Sequence, residues 1–307
     1  MWTLGLLCVS GPAASQLPDI RWRIYGQYAA DRDSGEQTEF DFDRIRVRAE
    51  TVGKRFGSVV QLELAADDWS RRRPRTSVDV IFDAYLNYRL SDRYQLRAGQ
   101  FKTPLGLDFS LPPNVMEITK RGMEFGLILN RASGVMLSGR RIGQRFGFDA
   151  GVFNLASRSA ATSYQKGQAG DEYAFALRGH AEIGYSHFEA AYGETGSAGG
   201  PGTADYRVTD LGWAFDRENV VLKFEWIDGR GVRGDATREE RVYYVHGAYR
   251  LRDDFELVMR HFDGASRIAG SSTRLTNTYL GFTWHAFRED RIQGRLKMNI
   301  VVAGGDE

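Results

Sequence analysis

Arginines that alternate with apolar residues are the side chains of this sequence best suited to chemistry. Arg21 and Arg23 flank Trp22, and the segment Arg44–Arg48 places three arginines two residues apart. A guanidinium group keeps its charge at any physiological pH, and its planar set of N–H donors suits phosphate and carboxylate. Only six of the 41 basic residues are lysines, so the chain relies on arginine. The chemistry that these residues suit is the recognition of anions.

Alternation with a period of two residues predicts that these arginines lie on β-strands, because successive strand side chains point to opposite faces. The longest run has apolar residues at the even positions from Val80 to Leu90. The cations on the polar faces of the predicted strands are Arg21, Arg23, Arg44, Arg46, Arg48, Arg97, Arg178, Lys223, Arg260, Arg295 and Lys297. Each predicted strand therefore has a polar face and an apolar face.

The connections between the predicted strands alternate in length. Short turns lie near residues 53–57, 91–93, 142–145, 184–186, 216–219, 252–254 and 287–290, and longer polar loops near 31–39, 67–77, 102–129, 156–171, 194–204, 228–239 and 263–273. These connections join fifteen strands. Tight turns at one end of a sheet and long loops at the other are typical of outer-membrane barrels. The sequence therefore predicts an all-β fold, a transmembrane antiparallel β-barrel.

The size of such a barrel indicates which face meets the pore. A lumen this wide cannot be filled by side chains, so the apolar faces meet lipid and the arginines meet a water-filled pore. Rings of inward-facing cations favour anions. In the alternative interpretation the arginines only form ion pairs within the lumen. The carboxylates available for such pairs are Glu50, Glu63, Asp79, Asp83 and Glu225.

Composition and the N-terminus narrow the class of protein further. A net charge of +1 argues against a nucleic-acid partner, and no apolar run reaches the ~18 residues of a membrane-spanning helix. Residues 1–15 begin with a short apolar stretch and end in small residues, which predicts a signal peptide and export. The single cysteine, Cys8, lies in that segment. The mature chain, 16–307, is thus expected to have no disulfide and no thiolate metal site.

The remaining motifs predict no enzyme, cofactor or metal site. The segment Gly229–Gly234 matches G-x-G-x-x-G, but a charged stretch follows it rather than an apolar helix. The five histidines have no metal-ligand spacing along the chain. Asp79 and Asp83 are ~13 Å apart on a strand, which is too far for a glycosidase pair.

Four segments resemble the phosphate-selective porin O and P family. They are Arg44–Arg48, Asp83–Leu86, Gly99–Gly106 and Gly151–Asn154. The resemblance implies a sixteen-stranded trimeric outer-membrane porin with arginines along the pore and one long loop, about 102–129, folded inward as a constriction. Because barrels of this kind have even strand numbers, the count of fifteen predicts that the last strand is missing from the chain as written.

The same resemblance implies two further site residues. Lys102 begins the segment that matches the constriction loop, and Arg121 lies deeper in it, so both are candidate cations at the narrowest point. The basic run Arg71–Arg75 in a predicted external loop is interpreted as an anion-gathering patch, a contact for lipopolysaccharide phosphates or an ordinary solvated loop.

The function predicted is a passive outer-membrane channel for small phosphate-like anions, with phosphate or polyphosphate as the expected solute. The expected partners are outer-membrane lipid, lipopolysaccharide and two further copies of the chain in a homotrimer, without nucleic acid. One alternative is a general porin, or a channel for another solute, in which the arginines only shape the field in the pore. Another is an exported soluble β-protein that binds glycans through its Trp and Tyr residues.

Overall fold

The computed structural model describes residues 20–31, 38–65, 80–112, 115–154, 173–196, 204–232, 235–289 and 292–306. The predicted signal peptide and the basic run Arg71–Arg75 lie outside these residues. The strands are β1 (Ile20–Asp31), β2 (Glu39–Val52), β3 (Phe56–Ala65), β4 (Ile81–Arg89), β5 (Tyr94–Lys102), β6 (Arg131–Ile142), β7 (Phe146–Asn154), β8 (Tyr173–Ile183), β9 (Ser186–Thr195), β10 (Tyr206–Arg217), β11 (Val220–Arg230), β12 (Arg238–Arg252), β13 (Phe255–Ile268), β14 (Ser271–Glu289) and β15 (Ile292–Gly305).

The fifteen strands form one sheet in chain order, and each pairs antiparallel with its neighbours in the sequence. This confirms the all-β meander and the strand count predicted from the period of two. One loop prediction was wrong: the strands β13 and β14 continue through 263–273 and meet at Ala269 and Gly270. Both residues have positive φ, 48° and 89°, as a two-residue hairpin turn that matches the strand twist requires.

Burial across the sheet is the reverse of that in a soluble protein. On β11, Leu222 and Phe224 are exposed, whereas Lys223 and Glu225, which alternate with them, are buried. On β1, Ile24 is 78% exposed. Exposed apolar side chains recur on the same face of the other strands, so the outer surface suits lipid and the polar side chains face inward.

The two ends of the sheet approach the same residue of the interior. The backbone N–H of Thr119 donates to Asn299 Oδ1 on β15 at 2.9 Å, and its carbonyl accepts from Gln27 Nε2 on β1 at 3.4 Å. The sheet therefore curls until its first and last strands face each other. In the part of the chain that the structure describes, no hydrogen-bonded ladder joins β1 to β15.

Residues 103–112 and 115–130, which together we call the inner segment, lie against the inward face of the sheet. They include a single helical turn, α1 (Leu107–Ser110), and a 3₁₀ turn at Met123–Gly126. Leu105, Ile118 and Leu129 are fully buried in this segment. The main apolar cluster of the protein lies between the inner segment and the wall formed by β5 to β14. Among the described residues, no helix has the length and apolar character needed to cross a bilayer.

Candidate functional site: the inner segment and the cations around it

The motif Gly99–Gly106 turns the chain from β5 into the interior. Gly99 has φ +128°, and a Cβ at this position would overlap the carbonyl oxygen of Ala84. Gly106 has φ +80° and is packed against Ile128 and Phe109. Such backbone angles are accessible mainly to glycine. The two glycines therefore let the strand end and the inner segment begin within a few residues.

Two buried carboxylates on the wall hold the start of the inner segment. The N–H of Gly106 donates to Asp210 Oδ2 at 2.6 Å, and the N–H of Leu107 donates to Glu225 Oε1 at 2.7 Å. Both carboxylates are almost completely buried. Since buried N–H groups need acceptors, these two side chains determine where the inner segment lies on β10 and β11.

Asp108 anchors the same turn through ion pairs. Its carboxylate lies 3.2 Å from Lys223 Nζ and 2.6 Å from Arg260 Nη1, and all three side chains are buried. Burial alone would raise the pKa of Asp108, but Arg260 and Lys223 together hold it well below its usual value. Lys223 and Arg260, predicted to line the pore, instead fasten the inner segment to β11 and β13.

Two other predicted pore cations also contact the inner segment. Arg178 lies 2.7 Å from Asp149 on β7 and donates to Ser110 Oγ at 2.7 Å. Lys297 donates to the carbonyls of Met116 and Ile118. Ion pairs within the lumen thus occur on this side through Asp108 and Asp149. The carboxylates named in the ion-pair alternative form their pairs elsewhere, Glu50 with Arg23 and Arg48 and Glu63 with Arg46.

The remaining predicted cations lie on β1, β2, β5 and β15. Arg21 and Arg295 are exposed near the two ends of the sheet. Arg23 is also exposed and lies 3.1 Å from Glu50. Arg44, Arg46 and Arg48 lie on β2 and Arg97 lies on β5, and all four side chains are half-buried.

Four cations, Arg46, Lys102, Arg121 and Arg131, lie over the rings of Phe82 and Phe109. Arg44 lies close enough to repel Arg46 and Arg121, and we call the five together the cation cluster. Arg46 and Arg131 lie over the Phe82 ring at 4.3 and 3.5 Å from its centroid. A cation over an aromatic face is attracted by the ring quadrupole. The rings thus hold like charges side by side in the interior.

Phe82 reaches this position through a break in the strand alternation. The even-numbered run from Val80 to Leu90 predicts that Phe82 faces lipid, and the structure contradicts this. In the pairing of β3 with β4, Gln61 lies opposite Asp83, but the next residue, Leu62, lies opposite Ile81. Phe82 is therefore an extra residue in β4. A bulge of this kind redirects a side chain. Gln100 Nε2 donates to the carbonyls of Ile81 and Phe82 beside it.

The cation cluster contains more cations than carboxylates among the described side chains. Ion pairs join Arg46 to Glu63 and Arg131 to Asp83. Lys102 and Arg121 donate instead to backbone carbonyls of the inner segment, including that of Leu111. Burial and the nearby Arg44 and Arg131 lower the pKa of Arg121 to about 10. The guanidinium still remains charged at neutral pH, so the cluster attracts anions.

Sequence reasoning missed Arg131 because it follows directly on a segment interpreted as loop. It also missed Asp210 as the acceptor of the Gly106 N–H, since the two residues are 104 positions apart in the chain. The one available signal for Arg131 was its place as the first residue of β6, four positions before Val135, where the apolar alternation of that strand begins.

A second basic region lies near the short turns that end β2 and β4. A cavity of about 290 Å³ there is lined by four arginines and one carboxylate, together with amide and hydroxyl side chains. The charged lining residues are Arg48, Arg55, Arg89, Arg97 and Glu50. Arg48 and Arg97 were predicted from the sequence, whereas Arg55 and Arg89 were missed because they lie at strand ends. This cavity therefore presents further guanidinium groups on the same wall as Arg46.

Glu124 makes the docking of the inner segment dependent on pH. Its Oε1 accepts from the N–H of Gly122 at 3.1 Å, while burial raises the pKa of the carboxyl to about 7. A carboxyl group whose pKa is raised in the folded state stabilises that state fully when the pH is below the ordinary carboxyl pKa. This stabilisation is lost as the pH rises through about 7.

We therefore expect amide hydrogen exchange within the 3₁₀ turn to accelerate between about pH 4.5 and 7 by more than the intrinsic pH dependence. The effect is limited to about 1.4 kcal/mol per pH unit. Glu124→Gln keeps an acceptor for Gly122 and should abolish this excess. An unchanged profile in Glu124→Gln would contradict the assignment.

Comparisons with known proteins agree with this architecture. The family described as phosphate-selective porin O and P matches residues 19–199, which is more than half of the chain. The chain belongs to this family. It is a porin of the bacterial outer membrane. The predictions of the family, the fold and the location are therefore confirmed.

Solved porin structures share the fold at low sequence identity. An anion-selective porin from Comamonas acidovorans has a TM-score of 0.66 at 12% identity, covering 94% of this chain and 90% of its own. A loop L8 deletion mutant of OmpT from Vibrio cholerae has a TM-score of 0.63 at 14% identity, covering 94% of each chain. The trimer form of in-vitro folded Vibrio cholerae OmpT has a TM-score of 0.62 at 12% identity, and the match covers 93% of this chain and 89% of the OmpT chain. No curated protein matches the sequence.

Proposed function

We propose that this porin is a passive channel for small anions and that the cation cluster is its selective constriction. The observation that carries the proposal is the asymmetry of the lumen. The inner segment and its buried carboxylates occupy the β8–β14 side, where cations and acids neutralise each other. The β2–β6 side has clustered cations with fewer carboxylates, so a solute passing between the two sides would meet positive charge.

Phosphate-like oxyanions suit this surface for a chemical reason. Guanidinium groups bind such anions through paired N–H donors, and several adjacent groups allow transfer from one to the next. Conduction requires that each contact be weak and repeated. The family match and the anion-selective porin with the same fold favour this solute class over a general porin. The exported glycan-binding alternative does not fit the outward apolar surface.

We expect Arg121→Gln to lower anion selectivity without freeing a carboxylate, because Arg121 donates to the carbonyls of Asp108 and Leu111. A unit positive charge about 7 Å from an ion in water stabilises an anion and destabilises a cation by about 0.6 kcal/mol each, so the chloride-to-potassium permeability ratio should fall by about 7–8-fold. Reversal potentials in a KCl gradient across a planar bilayer measure this ratio.

Two matched variants test whether charge at this position is the cause. Arg121→Lys keeps the cation and should retain the ratio. Arg207→Gln removes an exposed arginine paired with Glu194 near the long-loop end of β10 and should have no effect. A wild-type channel that prefers potassium would overturn the anion proposal and favour the general porin, in which the ion pairs Arg46–Glu63 and Arg131–Asp83 only shape the field.

The partners follow from the same surfaces. The outward apolar band would contact outer-membrane lipid, and lipopolysaccharide would meet the long-loop end. A homotrimer is proposed by analogy with the trimer form of the OmpT structure. Sedimentation of detergent-solubilised protein should therefore give a protein mass three times that of one chain, and the mass of a single chain would refute the trimer.

A further inference from the structure

Four side chains with ligand atoms for metals lie on one face at the short-turn end of the β8–β9 hairpin. They are His180, Glu182, His187 and Glu189. The antiparallel register pairs His180 with Glu189 and Glu182 with His187. His180 and Glu182 share one face of β8, and His187 and Glu189 share the same face of β9 directly across from them.

Three of these residues have ligand atoms close enough for one ion. One atom each of His180, Glu182 and His187 lies within 4.8 Å of the other two. Ligand atoms around a tetrahedral Zn²⁺ are about 3.4 Å apart, as bond lengths of about 2.1 Å require. Small rotations of these side chains, which lie near the end of a hairpin, would shorten the distances between the ligand atoms from at most 4.8 Å to this spacing. The linear spacing of the histidines showed no motif because the set forms only through strand pairing.

His180 has a ring nitrogen available for a ligand. Its Nδ1 is buried and has no hydrogen-bond partner among the described residues. The other nitrogen, Nε2, lies 3.3 Å from Arg140 Nη1. That Nη1 carries two hydrogens, and it already donates to the carbonyls of Gly139 and Phe148 at 3.1 and 3.0 Å. The Nδ1 of His180 remains a buried imidazole nitrogen without a partner among the described residues, which points to a missing ligand.

His187 has the environment of an oriented metal ligand. Its Nδ1 lies 2.6 Å from Glu182 Oε1, and its Nε2 lies 3.2 Å from Glu189 Oε2. A carboxylate on the far nitrogen fixes the tautomer and ring orientation of histidines that ligate metals. Glu189 is itself held near Arg178, at 3.5 Å, so its position does not depend on an ion.

We propose that His180, Glu182 and His187 form a binding site for a divalent transition metal of the zinc class, with Glu189 as a positioning residue. Two imidazoles and one carboxylate are a ligand set that suits Zn²⁺ and leaves one position for water or another ligand. The ligand atoms would come from two adjacent strands at the rim of the lumen, beside a cavity of about 460 Å³ lined by Arg140, Arg141 and Arg145.

The test is Zn²⁺ titration by calorimetry on detergent-folded protein that carries no polyhistidine tag. We expect saturation at one ion per chain, and Co²⁺ in place of Zn²⁺ should give the visible absorption of a tetrahedral site. His187→Ala and His180→Ala should each weaken binding at least tenfold. Glu189→Gln should weaken it by about 10-fold or more, as loss of an outer carboxylate does.

His261→Ala is the matched control, because His261 lies on the outward face of β13 and contacts Thr278 at 2.8 Å. It should bind Zn²⁺ as the wild type does. Heat-modifiable migration in gels shows whether each variant has folded. If His187→Ala has not folded, His187→Gln is used in its place. Wild-type protein without saturable binding, or binding unchanged in both histidine variants, would overturn the proposal.

Discussion

Asp108→Asn is expected to weaken the docking of the inner segment by about 3–5 kcal/mol. The substitution keeps the shape of the side chain but leaves Arg260 without the carboxylate that lies 2.6 Å away. Removal of one partner from a buried ion pair costs this much because the other charge stays desolvated. Lys223 loses less, since Glu117 lies 2.7 Å from its Nζ.

Native-state hydrogen exchange of the folded porin measures this effect where it occurs. The N–H groups of Gly106 and Leu107 are protected only while the inner segment is docked. A loss of 3 kcal/mol or more corresponds to exchange about a hundredfold faster or more. Asp235→Asn is the control, because this exposed carboxylate bonds within its own turn to Thr237.

A double-mutant cycle separates the ion pair from a general loss of packing. Arg260→Gln in the Asp108→Asn background removes the unpaired charge and should restore part of the protection. Exchange that is unchanged in Asp108→Asn would mean that Asp108 does not anchor the inner segment. Protection that falls further in the double variant would show that the cost is not that of an unpaired charge.

The repeating parts of this molecule could be predicted from the sequence. A period of two assigns each side chain to a face as long as the alternation is unbroken, and the seven tight turns were all found between the expected strands. Phe82 shows where the rule fails. One extra residue in β4 reverses the face of a side chain, and only the pairing with β3 reveals that residue.

The roles of the cations depended on contacts that periodicity does not encode. The pattern assigns Arg260 and Arg46 alike to the polar face. One is fully buried beneath the inner segment and the other lies beside Phe82 in the cation cluster. What separates them is the path of the inner segment, which is determined by Asp210 and Glu225 on distant strands. The family resemblance predicted an inward loop but could not specify these anchors.

Gly106→Ala is expected to be the most disruptive small substitution in the inner segment. Gly106 has φ +80°, an angle that costs other residues about 1–3 kcal/mol. The added Cβ would also overlap Ile128 Cδ1 and Phe109 Cβ. Overpacking adds about 1–3 kcal/mol. We therefore expect the hydrogen bond from Gly106 to Asp210 to break and the exchange of residues 103–112 to accelerate by a hundredfold or more.

Gly126→Ala is the control within the same segment, since a Cβ there meets nothing within 4 Å and its φ is not positive. It should leave exchange almost unchanged. Ile128→Ala in the Gly106→Ala background removes one overlapping group and should recover the packing part of the loss while the backbone strain remains. Equal exchange in Gly106→Ala and Gly126→Ala would show that the motif Gly99–Gly106 does not need glycine for its turn. The entry of the chain into the lumen would then depend on the carboxylates of Asp210 and Glu225 alone.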